Sequence, residues 1–128
     1  MTYLIIKIFF VAFFINLLYE LLHSLLYKTC LEAPLKKYIY LILKGATFDG
    51  FSIAVIYFIS YYIFPHYLQI FVFLLISLVF AYLWETYAIK NKRWEYSKKM
   101  PLIFNIGVTP FLQLALTGFL AIYFAFNF

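Results

Sequence analysis

Four long apolar stretches separated by short polar connections govern what this chain can become. They run at about 3–27, 38–64, 67–89 and 102–128, each near or above the roughly 20 residues that cross about 30 Å of hydrocarbon as a helix. Lipid offers no partners to backbone amides, so only helices or closed barrels span it, and continuous rather than alternating hydrophobicity selects helices. With 67% of its 128 residues hydrophobic and 12% charged, the chain lies far outside the range of a water-soluble domain. The expectation is an all-α membrane protein, four transmembrane helices in an antiparallel bundle, forming one domain over residues 1–128.

The first stretch is too long for the apolar part of a signal peptide and carries Glu20 and His23 near its end, so it reads as retained. Cys30 stands alone: it forms no intramolecular disulfide and lies outside any terminal lipidation motif.

Basic residues set the expected orientation. Lys28, Lys36 and Lys37 fall in the first connection; Lys90, Lys92, Arg93, Lys98 and Lys99 fall in the third. Loops 28–37 and 90–101 are therefore expected on the cytoplasmic side of the inner membrane, with both termini external. Lys7 is near enough to a helix start to snorkel. The net charge of +5 then reads as topology and contact with anionic headgroups rather than nucleic-acid binding.

Folded this way, the few polar groups fall at about one depth in the cytoplasmic half. Asn16, Glu20 and His23 follow an i, i+4, i+7 spacing. Gly45, Asp49 and Ser52 share a face with Lys44 one step round, Ser77, Ala81, Trp84, Glu85 and Ala88 share another, and Asn105, Thr109 and Gln113 share a third. Ionisable groups in hydrocarbon are costly and mark functional sites by default. Glu20, His23, Asp49 and Glu85 are the candidates for acid–base chemistry in a desolvated pocket. Asn16, Lys44, Arg93, Trp94, Tyr96, Asn105 and Gln113 are the candidates for holding a lipid, with Arg93 beside Trp94 and Tyr96 suited to a phosphate at headgroup depth.

Competing readings attach to the same residues. Glu20-x-x-His23 has the spacing of a bundle metal motif, but a second such motif is missing and His66 is expected at the opposite face. No cofactor is expected. Pairing of Lys44 or Arg93 with Glu85 would make the polar groups helix adhesive in a non-enzymatic membrane subunit. Seventeen Phe and 13 Tyr suit either a cavity for a flat lipid or a lipid-facing surface, and the surface reading is favoured.

Trp84-Glu85-Thr86-Tyr87, Arg93-Trp94-Glu95-Tyr96, Met100-Pro101 and Gly107-Val108-Thr109-Pro110 with Gln113 resemble a pattern in small uncharacterised prokaryotic membrane proteins. Asn16-x3-Glu20-x2-His23 and Asp49-Gly50 fit the same group. Over about the last 45 residues the chain also resembles the lycopene-cyclase-type membrane domain of carotenoid biosynthesis, where an acidic-aromatic helix end, a Trp-x-Tyr loop and a Gly-x-Pro step precede the next span. That family places a Glu-Glu pair just after the Pro, where this chain has Leu112 and Gln113. The resemblance implies a long isoprenoid or other lipid as substrate class; the departure implies that any polyene protonation would fall to Glu20 or Glu85. The expected partners are membrane lipids, a lipid or isoprenoid substrate, and a second copy or another membrane protein.

Overall fold

The computed structural model describes residues 1–128 and is built almost wholly of helices. In chain order they are α1 (Thr2–His23), the short α2 (Lys28–Leu31), α3 (Leu35–Ile63), α4 (Gln69–Lys90) and α5 (Val108–Asn127), with strands β1 (Leu102–Ile103) and β2 (Ile106–Gly107) between the last two. Four of the helices are long and apolar enough to cross a membrane. α1 packs on α3 and α5, and α4 packs on α5 and α3, so residues from all four, among them Ile8, Ile53, Phe73 and Ala121, meet in one core.

Small residues set how closely the helices approach. A Cβ added at Gly50 would lie 3.2 Å from the Phe13 nitrogen and the Phe9 carbonyl oxygen, so the α1 and α3 backbones are in contact there. A methyl at Gly118 would overlap the ring edge of the fully buried Phe73, which ties α5 to α4. Outside this core the surface is apolar: Leu18, Phe51, Phe71 and Leu83 are each at least 60% exposed.

The connections at the two ends of the long helices differ in kind. α3 and α4 are joined through Phe64, Pro65 and a single 3₁₀ turn, His66–Leu68. The buried Gln69 amide donates to the Tyr61 and Phe64 carbonyls at 3.0 and 3.2 Å, satisfying acceptors that a helix end leaves open. At the other end, the segment after α1 and the segment after α4 pair across the molecule. Tyr27 and Tyr96 form an antiparallel bridge, flanked by Lys28 N–H to the Glu95 carbonyl at 2.9 Å and Ser97 N–H to the Leu26 carbonyl at 2.8 Å.

The expected fourth stretch is corrected at its start. α5 begins at Val108, not near 102, because Leu102–Gly107 folds back as a hairpin with Leu102 opposite Gly107 and Ile103 opposite Ile106. Phe104 and Asn105 have φ of 49° and 68°, the pair of left-handed residues that a two-residue primed hairpin turn requires. Asn105 is therefore exposed in a turn rather than aligned with Thr109 and Gln113 on a helix. Apolar content alone does not separate a strand pair from a helix start.

Candidate functional site

Two polar clusters form between the helices, each centred on acidic side chains. In the first, α5 contributes Gln113, whose side-chain nitrogen donates to Glu20 and Asp49 at 2.8 Å each and to Asn16 at 3.0 Å. The Glu20 and Asp49 carboxyls are thereby held next to each other on the one amide. Gly45 makes room for this meeting: a Cβ there would stand 3.2 Å from the Glu20 Cδ. Thr117 donates to the Gln113 carbonyl at 2.7 Å and approaches the Asn16 Oδ1 at 3.2 Å.

The Gln113 amide has two hydrogens for three oxygen acceptors, so it draws Asn16, Glu20 and Asp49 to one point and leaves the two carboxyls side by side.

The second cluster is organised differently. Glu85 near the end of α4 receives three donors on a single oxygen, Oε1: Tyr27 Oη at 2.9 Å, Trp94 Nε1 at 2.9 Å and Tyr96 Oη at 2.7 Å. Tyr96 in turn accepts the Gly107 N–H at 3.0 Å, so the cluster also holds the hairpin at the start of α5. Burial, then the adjacent Glu85, pushes the Tyr27 phenol well above its usual range. Burial and the same carboxyl also raise Tyr96. Both phenols therefore keep their protons and act as donors.

His23 lies between the clusters, edge-on to Tyr19 and Tyr27 with ring centroids at 5.3 and 4.8 Å. Its Nε2 bonds to Thr109 Oγ1 at 2.6 Å, and its buried Nδ1 has no partner. The Thr109 hydroxyl also reaches Met100 Sδ at 3.3 Å. No group of three or more His, Cys, Asp or Glu is arranged around Glu20-x-x-His23 or elsewhere to hold a metal ion.

Both clusters open onto one cavity of ≈ 320 Å³, lined by Glu20, His23, Asp49 and Glu85 together with Gln113. That is the lower end of the volume of ligand sites. One wall is aromatic: Phe48 stacks on Trp84 at 4.9 Å, and Phe80 lies parallel to Trp84 at 6.4 Å. Lys44 and Arg93 also line the cavity and are exposed, so they stand at its rim.

Several expectations change on this geometry. Neither Lys44 nor Arg93 pairs with Glu85, whose Oε1 is taken by the three aromatic donors; Lys44 lies 5.7 Å above the Tyr40 ring and Arg93 5.4 Å above Trp84. Asn105 is outside the site. Asn16 is fully buried behind Gln113, and Tyr96 acts through Glu85 without lining the cavity. His66, exposed in the 3₁₀ turn, is remote from it. The residues not anticipated are Tyr27, Tyr19 and Thr117, and the Phe48–Phe80–Trp84 wall. Phe80 and Trp84 follow an i, i+4 spacing within α4 and Phe48 meets them from α3, a signal hidden among so many other aromatics. Comparison with protein families, with curated proteins and with solved structures finds no match.

Proposed function

We propose that the chain crosses the inner membrane as an antiparallel four-helix bundle and binds a lipid or isoprenoid in this cavity, exchanging a proton with it through Glu20 and Asp49. The observation that carries the reading is the meeting of an adjacent acid pair with an aromatic wall in one cavity of ≈ 320 Å³. Such a volume takes the polar end and first carbons of an amphiphile, with the rest of its chain lying in the bilayer. Exposed leucines and phenylalanines around the helices support membrane insertion, since a surface of this kind is costly in water. Eight of the ten basic residues lie at 28–37 and 90–101, which supports a cytoplasmic location for those connections and for the cavity beside them.

Native mass spectrometry of protein purified from membranes tests the binding. The wild type is expected to retain a lipid adduct, and Ala81→Phe, which fills the cavity from α4, is expected to lose it while staying monodisperse. A wild type without adduct, or an adduct kept by Ala81→Phe, rejects the reading. Orientation is tested with Cys30→Ser protein carrying cysteine at Lys36 or Lys98: labelling by an impermeant thiol reagent in intact cells would reverse it.

A second reading rests on one observation, that Gln113 bonds to residues of both α1 and α3. On it, the acids are helix adhesive in a non-enzymatic subunit. Glu20→Gln and Asp49→Asn separate the two: loss of the protein from the membrane fraction favours adhesion, and a normal amount of inactive protein favours chemistry.

A further inference from the structure

The rim of the cavity carries two cations, Lys44 and Arg93, that form no salt bridge. Among the ten basic residues only Lys28 has an acidic partner, Glu95 at 3.8 Å. Lys44 and Arg93 come from different helical regions, α3 and the segment after α4, yet both line the cavity that holds the acid pair. Their placement is tied together by aromatic contacts. Lys44 precedes Phe48 by one helical turn, Phe48 stacks on Trp84 at 4.9 Å, and the Arg93 guanidinium lies 5.4 Å over that same Trp84. The Lys44 ammonium lies 5.7 Å over the Tyr40 ring, and an ammonium and a planar fork of donors thus both stand on the lining of one cavity.

Resting on the reading that the cavity takes a membrane amphiphile, we infer that its ligand is anionic, with a phosphate held between Lys44 and Arg93 and the adjoining carbon chain against Phe48, Phe80 and Trp84. A positive-inside signal alone accounts for a charge at Arg93. It does not account for Lys44, which lies ten positions into α3. A lysine inside an apolar helix, beside a cavity and without an acid, is suited to a ligand that brings the negative charge. Glu20 and Asp49 line the same cavity, so the phosphate is placed beside Lys44 and Arg93 rather than against the two carboxyls.

The chain contains two tryptophans, Trp84 and Trp94, and both line the cavity, so intrinsic fluorescence reports occupancy directly. The protein in nanodiscs of zwitterionic lipid is titrated with hexadecyl phosphate, with hexadecanol and with inorganic phosphate. Hexadecyl phosphate is expected to saturate the signal at least about tenfold more tightly than hexadecanol, the scale of one or two charge-assisted hydrogen bonds, and to weaken as salt is added. Lys44→Gln with Arg93→Gln should bring the phosphate down to the affinity of the alcohol and leave the alcohol unchanged. The charge-conserving pair Lys44→Arg with Arg93→Lys should keep most of the preference. Equal affinity of phosphate and alcohol in the wild type overturns the inference but leaves the cavity reading standing. Saturation by inorganic phosphate at the affinity of hexadecyl phosphate overturns it in favour of a soluble anion. If neither amphiphile changes the fluorescence, the cavity reading itself fails. Should the glutamine variant not fold, the wild-type preference and its salt dependence still decide the matter.

Discussion

The two acidic clusters look alike as residue lists and differ in how their hydrogen bonds are distributed. Around Glu20 and Asp49, a single amide nitrogen serves three acceptor oxygens, two of them carboxyls on different helices. Around Glu85, three donors crowd one oxygen, and the donors come from the segments that connect helices. The first arrangement leaves carboxyl oxygens short of donors; the second uses a carboxyl to fasten Tyr27, Trp94 and Tyr96 in place. Glu20, Asp49, His23 and Glu85 thus divide into an acid pair, a histidine bonded to Thr109, and an anchor.

Glu85→Leu should have the largest effect. It orphans three donors, and at about 1–3 kcal/mol for each buried group left unpaired the loss amounts to about 3 kcal/mol or more. Thermal unfolding in detergent measures it, with Glu85→Gln, which keeps an acceptor oxygen, expected to lose about a third as much. An unchanged melting temperature in Glu85→Leu would remove the distinction between anchor and acid pair. Gln113→Leu comes next, at about 2 kcal/mol for three interhelical bonds of the strength measured in membranes, and its loss should fall in the same unfolding assay. Phe104→Gly is expected to raise stability by about 1 kcal/mol, because a bulky side chain at φ 49° is relieved by a residue free to adopt that conformation. It touches neither cluster and serves as a control.

Asp49→Asn sharpens the comparison from the other side. It should shift the unfolding midpoint by less than about 1 kcal/mol, since an amide still bonds to its neighbours, while abolishing the phenotype that deletion produces. A large loss of stability would make Asp49 an anchor like Glu85. The smallest effect at neutral pH is the alkaline limit of the Glu85 cluster. Tyr27 and Tyr96 titrate above the ordinary value of 10.0 in the folded protein, so at high pH the unfolded chain has lost phenolic protons that the folded one retains. Their contribution is present in full below pH 10 and declines as pH rises above it. The Tyr27→Phe, Tyr96→Phe variant should show a shallower alkaline decline than the wild type in a melting series from pH 8 to 11.

The acid pair was legible because helical periodicity carries it: Asn16, Glu20 and His23 on one stripe and Gly45 and Asp49 on another need only the 3.6-residue turn to bring them to bear. The Glu85 donors were not, because Tyr27 lies 58 residues from its acceptor and reaches it through a bridge between two connections that no local pattern announces. The same blindness misplaced Asn105. Leu102, Ile103 and Ile106 extend the apolar run of α5 without interruption, and only the left-handed pair Phe104-Asn105 marks the hairpin. Lys44 and Arg93 were expected to neutralise Glu85 on charge alone, whereas the aromatic donors had already filled that oxygen.

The turn between α3 and α4 has a mechanical consequence. Pro65 fixes its own backbone, and Gln69 fastens the turn to the last carbonyls of α3 with two hydrogen bonds, so that corner behaves as a stiff joint. At the far end the Tyr27–Tyr96 bridge joins the segments that follow α1 and α4, and α3 meets α4 through the stack of Phe48 on Trp84. The hydrogen-bonded corner is therefore the stiffer of the two ends, and any parting of α3 from α4 is expected to begin at that aromatic stack.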